Sequence, residues 1–172
     1  EVLPLTSDKS TLLSKVNGLS TAGSTAGHIG TAWAWYMLAP NWSSLWPSAS
    51  STPAAYNTDN LRKIAVLMTD GEYNTQYTTN GVPDNSSSLT KCPSAANGVC
   101  SSAQAISQCT AMKAKGIEVY TVGFQLDNQT AIDTLSKCAT DSSHFYNSTT
   151  GDALKAAFRD IALKISTLYL SQ

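Results

Sequence analysis

One apolar segment ends in a hydroxyl and a carboxylate that could do chemistry, those of Thr69 and Asp70. The segment is Lys63-Ile64-Ala65-Val66-Leu67-Met68-Thr69-Asp70-Gly71-Glu72. An unbroken apolar run is typical of a strand that is buried on both faces, as in a parallel sheet. In open α/β sheets, ligands bind at the carboxyl ends of the strands. The carboxylate of Asp70 is therefore expected where such sheets place their chemistry. The alternative is that Asp70 only caps the turn after the strand.

Composition limits both the architecture and the partners. The 172 residues are enough for one domain with a proper core, residues 1–172, with loop insertions at about 41–60 and 72–100. Charged residues make up only 13% and the net charge is −1, so the basic footprint of a nucleic-acid-binding protein is missing. The sequence contains no transmembrane segment. Because it starts abruptly at Glu1 without a methionine, we expect a fragment whose membrane anchor, if any, lies elsewhere.

Hydrophobic periodicity predicts strands that alternate with helices. Val2 to Leu5 resembles the end of a strand. The further elements are a helix with Leu12, Leu13, Val16 and Leu19 at helical spacing, a helix over about Gly27 to Leu38, a strand over about Arg62 to Thr69, a helix from Ser101 or Ser102 that stops at Gly116, a strand over Ile117 to Phe124, a helix over about Thr130 to Ala139, a short strand at His144 to Tyr146, and a final helix with Leu154, Phe158, Ile161, Ile165 and Leu168 on one stripe. This order indicates an α/β fold, with a mostly parallel sheet and helices on both faces.

The four cysteines, Cys92, Cys100, Cys109 and Cys138, favour disulfides in an oxidising compartment. A zinc site is not favoured, because no Cys-x-x-Cys pair exists and the two histidines are far apart in sequence. Four cysteines allow three pairings. We favour Cys92 with Cys100, which closes a short loop, and Cys109 with Cys138, which joins two helices. Four free buried thiols are the alternative.

Three segments in order resemble those of von Willebrand factor A (VWA) domains. They are Gly23-Ser24-Thr25-Ala26-Gly27-His28-Ile29-Gly30, where that family has a Gly-x-Thr loop that opens a helix, Val66 to Glu72, which matches its strand and Thr-Asp-Gly turn, and Gly116 to Phe124, which matches the next strand. The resemblance implies a Rossmann-like, VWA-type sheet.

A narrower resemblance is to the C-terminal VWA region of TadG-like proteins of bacterial Tad (Flp-type) pilus systems. It rests on Trp33-Ala34-Trp35-Tyr36-Met37-Leu38-Ala39-Pro40-Asn41-Trp42, Cys109-x-x-Met112-Lys113, Cys138-Ala139 and Leu154-x-x-Ala157-Phe158-x-x-Ile161. It implies a full-length protein that is anchored in the inner membrane and lies in the periplasm or at the cell surface. That location agrees with the expected disulfides.

VWA domains commonly bind a divalent cation through an Asp-x-Ser-x-Ser loop, the Thr of the second loop and the Asp of Thr-Asp-Gly. By this resemblance, Thr25 and Asp70 are the candidate ligands of Mg²⁺, or of Mn²⁺ or Ca²⁺. The first strand and its Asp-x-Ser-x-Ser loop are missing before Thr25. The string Asp84-Asn85-Ser86-Ser87-Ser88 has the motif's letters, but it follows no buried strand and comes after Asp70. We therefore expect a partial metal-ion-dependent adhesion site of low occupancy, which holds metal only if residues outside this chain complete it.

The sequence thus predicts a non-enzymatic protein-binding and assembly module of a Tad-type pilus or surface-adhesion system. The expected partners are pilus components or a surface ligand, contacted by the aromatic residues Trp42, Trp46 and Tyr73, or a strand that another chain adds to the incomplete sheet. One alternative is a Mg-dependent hydrolase that uses Asp70, although no second catalytic group is evident. Another is an extracellular eukaryotic VWA adhesion domain, which would fit the Asn-x-Ser/Thr sequons at Asn41, Asn85, Asn128 and Asn147.

Overall fold

The fold is an alternating α/β chain, described by a computed structural model over residues 2–20, 23–46, 48, 51–77, 83–84 and 100–167. The elements in chain order are α1 (Lys9–Asn17), α2 (Gly27–Leu38), β1 (Lys63–Thr69), β2 (Gln76–Tyr77), β3 (Pro83–Asp84), α3 (Ser101–Ala114), β4 (Ile117–Phe124), α4 (Gln129–Cys138), β5 (Phe145–Ser148) and α5 (Gly151–Thr167). Short 3₁₀ helices occupy Pro40–Leu45 and Ser142–His144.

The main sheet has three parallel strands in the order β1-β4-β5, with β4 at its centre. The register of β1 against β4 runs from Lys63 opposite Ile117 to Thr69 opposite Gly123. Parallel neighbours require a crossover connection, which α3 and α4 supply. A separate antiparallel pair, β2 with β3, follows the carboxyl end of β1 in the chain.

Helices cover both faces of the sheet. Ile117 and Val119 of β4 face a core shared with α3 and α4, whereas Tyr120 and Val122 face a smaller core with Ile161 of α5. Helix α2 lies on the α3 side. Because β4 is apolar on both sides, it takes the central position of the sheet. The predicted α/β class with helices on both faces is therefore confirmed.

Strand β1 is fully buried on one face only, which corrects the expectation of two-sided burial; on the other face only Ile64, at its start, packs against the smaller core. Lys63, Ala65, Leu67 and Thr69 are buried on the side of α2 and α3. On the other side Val66 is 40% and Met68 50% exposed, because α5 packs against β4 and β5. The outer edge of β1 pairs with no strand among the described residues.

Helix α1 is held by local bonds, not by packing. Asp8 caps it by accepting a hydrogen bond from the backbone of Ser10 at 2.9 Å, and α1 contains no buried residue. Its apolar residues Leu12, Leu13 and Val16 are 42–62% exposed. The preceding residues 2–8 lie outside any strand, so the expected strand end at Val2 to Leu5 is wrong.

The predicted disulfide between Cys109 and Cys138 is confirmed, and it joins the middle of α3 to the end of α4 within the core. Cys100 is also disulfide-bonded, so the alternative of four free thiols is wrong. Its expected partner, Cys92, lies outside the described residues.

Replacing both Cys109 and Cys138 by alanine should lower the free energy of unfolding by about 2–4 kcal/mol, because the unfolded chain loses a cross-link. Urea unfolding followed by circular dichroism measures the change. Equal unfolding midpoints for the variant and the parent would show that the disulfide adds nothing to stability.

Candidate functional site

The turn at the carboxyl end of β1 is closed by Thr69, not by Asp70. The hydroxyl of buried Thr69 accepts a hydrogen bond from the backbone N–H of Gly71 at 3.2 Å and donates one to its carbonyl at 3.1 Å. Asp70 is exposed, and its carboxylate has no hydrogen bond or ion pair with any described residue. The capping role considered for Asp70 is therefore filled by its neighbour, and the carboxylate is left available to a ligand.

The loop that carries Thr25 is bonded to the segment that follows Asp70. The backbone N–H of Thr25 donates to the side-chain oxygen of Asn74 at 2.8 Å. In return, the backbone N–H of Thr75 donates to the carbonyl of Thr25 at 3.0 Å. The structure thus brings both candidate ligand loops to one end of the sheet. Asn74 and Thr75 were missed by sequence reasoning, because bonds between residues so distant in the chain leave no local signal.

Tyr73 is a core residue, so the prediction that it contacts a partner is wrong. It is 9% exposed, and its ring packs directly on the backbone of Gly27, where an added Cβ would lie 2.1 Å from a ring carbon. Burial raises the pKa of Tyr73, and a hydrogen bond with Thr31 opposes that rise. Because Gly27 has no side chain, the Tyr73 ring can pack directly on its backbone and is held there.

His28 connects the start of α2 to the start of α3. Its Nδ1 lies 2.7 Å from the hydroxyl of Ser101, and its ring meets the edge of Tyr77 with 6.1 Å between centroids. The side chain is buried, and this burial lowers the pKa of His28. A buried neutral imidazole therefore links α2, the helix that follows the loop of Thr25, to the start of α3.

Trp42, which is expected to contact a partner, lies at the opposite end of the sheet from Asp70, so a partner bound there would not touch the candidate metal site. Helix α2 starts beside the Asp70 end and finishes where the Lys63 ammonium donates to the carbonyl of Leu38 at 2.8 Å. Since β1 rises by about 3.3 Å per residue, the two ends are roughly 20 Å apart. Trp46 ends the same 3₁₀ helix as Trp42 and is half-buried.

The oxygen ligands present fit a hard cation in type but not in number. Mg²⁺ prefers carboxylate, hydroxyl and water oxygens, which Asp70 and Thr25 could supply in part. Within the described ranges, no group of three or more His, Cys, Asp or Glu side chains could hold a metal. The backbone of Asp84 lies in β3, and the rest of the rejected string, residues 85–88, falls outside the described residues. These residues alone do not form a complete metal site.

Comparison with known proteins identifies the family. The sequence model of the von Willebrand factor type A domain matches residues 1–160. The chain belongs to the VWA family. The vWF domain of the type V pili tip protein Mfa5 from Porphyromonas gingivalis superposes with a TM-score of 0.60 and 17% identity, covering 93% of this chain and 73% of that one. The pilus adhesin SpaC from Lactobacillus rhamnosus GG, in its open conformation, gives 0.59 and 16%, covering 93% and 21%.

These identities show a shared VWA fold and no more. The chain spans about a fifth of the length of the SpaC chain. No curated protein matches it.

The contact between Gly27 and Tyr73 predicts opposite effects of two Gly→Ala changes in α2. Gly27→Ala should lower the free energy of unfolding by about 1–3 kcal/mol, because the new methyl group overlaps the ring. Gly30→Ala is the matched control, since no atom lies within 4 Å of the added Cβ and alanine favours the helix by about 1 kcal/mol. Thermal unfolding measures both, and a stabilising Gly27→Ala would contradict the packing described.

Burial of His28 predicts a loss of stability in acid. Because the folded-state pKa lies below the unfolded value, the stabilisation is present above about pH 6.5 and is lost as the pH falls below it. The free energy of unfolding, measured by urea between pH 7.5 and 5, should fall more steeply for the parent than for His28→Gln. Parallel pH profiles would show that His28 does not titrate on unfolding.

Proposed function

We propose that this VWA domain is a non-enzymatic adhesion and assembly module, which binds a protein partner at the carboxyl end of β1. The proposal rests on the exposed carboxylate of Asp70. This residue directly follows β1, and its side chain takes no part in the hydrogen bonds of the turn. A carboxylate on a rigid element is well placed to bind a divalent cation or a cationic group. The bonded loop of Thr25 lies beside it as the second limb of a partial metal-ion-dependent adhesion site.

The open edge of β1 supports the same proposal. An edge strand presents free N–H and C=O groups that a further strand can pair with. Val66 and Met68 add exposed apolar side chains on the less covered face of that strand. A strand added here, from a partner or from residues outside this sequence, would also bring its following loop next to Asp70. Ligands missing from this chain would then complete a site for Mg²⁺, Mn²⁺ or Ca²⁺.

The proposed setting is a pilus or another surface-adhesion system. Mfa5 and SpaC are both pilus proteins by name, and the resemblance to TadG-like proteins points to the Tad type. The buried disulfide favours the periplasm or the cell surface. No helix among the described residues is long and apolar enough to cross a membrane. We propose that the full-length protein is anchored in the inner membrane and binds pilus components or a surface ligand.

Calorimetric titration with Mg²⁺ and Mn²⁺ tests the split site. We expect the full-length protein to bind at least about tenfold more tightly than this chain, because two ligands leave most of the coordination shell to water. Tight binding by this chain alone, or equally weak binding by both, would contradict a site completed from outside.

A control variant at a second exposed acid distinguishes a specific contact of Asp70 from a general effect of negative charge. Asp70→Asn in the full-length protein should abolish metal binding and attachment to pili or to the target surface. Asp127→Asn removes an exposed acid from the same end of the sheet, just after β4, and should leave both unchanged. Normal attachment by Asp70→Asn would make the strand-end acid irrelevant to binding.

A further inference from the structure

The end of the sheet opposite Asp70 has a cavity of about 290 Å³. It lies between the end of α2, the 3₁₀ helix after it and the residues that precede β1 and β4. Its lining includes Tyr36, Asn41, Trp42, Tyr56 and Lys115. None of these residues takes part in the site at Asp70, so the cavity needs an explanation of its own.

The aromatic walls of the cavity are held in place by one another. Tyr36 and Trp42 stack with 4.2 Å between centroids and 29° between planes. The indole N–H of Trp35 donates to the hydroxyl of Tyr56 at 3.0 Å, which fixes that ring and leaves its O–H proton free to donate. Trp42 is nevertheless 39% exposed. A flat aromatic face kept partly in water is suited to stacking against the apolar C–H face of a sugar ring.

One cationic side chain, Lys115, lines the cavity, and a second, Lys63, lies buried behind the ring of Tyr56. The ammonium groups of Lys63 and Lys115 lie 5.6 and 5.9 Å from the centroid of the Tyr56 ring. Lys63 is buried and donates to the carbonyls of Leu38 and Ala54, and its burial lowers its pKa. Neither lysine forms an ion pair with a described residue. The acid nearest in the sheet, Glu118, lies on the other face of β4 and pairs with Arg62.

We propose that this cavity binds the acidic monosaccharide at the end of a glycan. Lys115 would pair with the sugar carboxylate, Trp42 would stack on the ring, and the Asn41 amide and Tyr56 hydroxyl would bond its hydroxyl groups. The volume is near the lower end of ligand cavities, about 300 Å³, which suits one sugar ring. This binding is separate from the proposed protein contact at Asp70, so each can fail without the other.

Titration with methyl β-D-glucuronide and with its uncharged counterpart, methyl β-D-glucoside, tests the proposal by tryptophan fluorescence and amide chemical shifts. The glucuronide should bind saturably and about tenfold more tightly than the glucoside, since only the glucuronide can form the charge-assisted bond to Lys115. Equal binding of the two sugars, no saturable binding of either, or tighter binding of an acidic peptide than of the glucuronide would overturn it.

Matched variants locate the binding. Lys115→Gln should reduce the affinity for the glucuronide to that for the glucoside, whereas Lys137→Gln, an exposed lysine on α4, should change neither. Trp42→Ala should abolish binding of both sugars. Phe158→Ala is its control, because Phe158 is an aromatic residue of α5 that is 41% exposed and does not line the cavity. Chemical shifts distant from the cavity report whether each variant is folded, and retained binding by folded Trp42→Ala would refute the assignment.

Discussion

The parallel pairing of β1 with β4 determines where every functional group of this domain lies. Parallel strands place their carboxyl ends at one edge of the sheet, so the register that sets Thr69 opposite Gly123 brings Asp70 to the same end as the loop after β4. The same register sets Lys63 opposite Ile117, which brings Lys115 near Lys63 at the other end. The domain therefore has two chemically different ends, one with carboxylate and hydroxyl groups and one with aromatic and cationic groups.

Helices cover the strands of the sheet unequally, and β1 is less protected from solvent than β4. β4 is buried by helices on both faces, whereas β1 has one face exposed at Val66 and Met68 and one edge that pairs with no strand among the described residues. Exposed edges with apolar side chains are a hazard that proteins usually cover. The hydrogen bonds of the turn join Thr69 and Gly71 to each other, whereas the backbone groups on the outer edge of β1 pair with no strand among the described residues.

The regular elements could be predicted from the sequence because their signals are local. α2 (Gly27–Leu38) and β4 (Ile117–Phe124) match the predicted bounds, and the disulfide between Cys109 and Cys138 follows from two helices that both line the core. The environment of single side chains was not predictable. An apolar run does not reveal that Val66 lacks a cover, and the burial of Tyr73 depends on Gly27, a residue far away in the chain.

The central claim is that the outer edge of β1 is open beside Asp70. Amide hydrogen exchange in this strand tests that claim most directly. In a strand paired on one side, every second N–H points away from the partner and has no acceptor in the sheet. We predict that alternate amides of Lys63–Thr69 exchange rapidly in this chain while the others are protected by β4, and that all become protected in the full-length protein. Uniform protection of the strand in this chain alone would contradict an open edge.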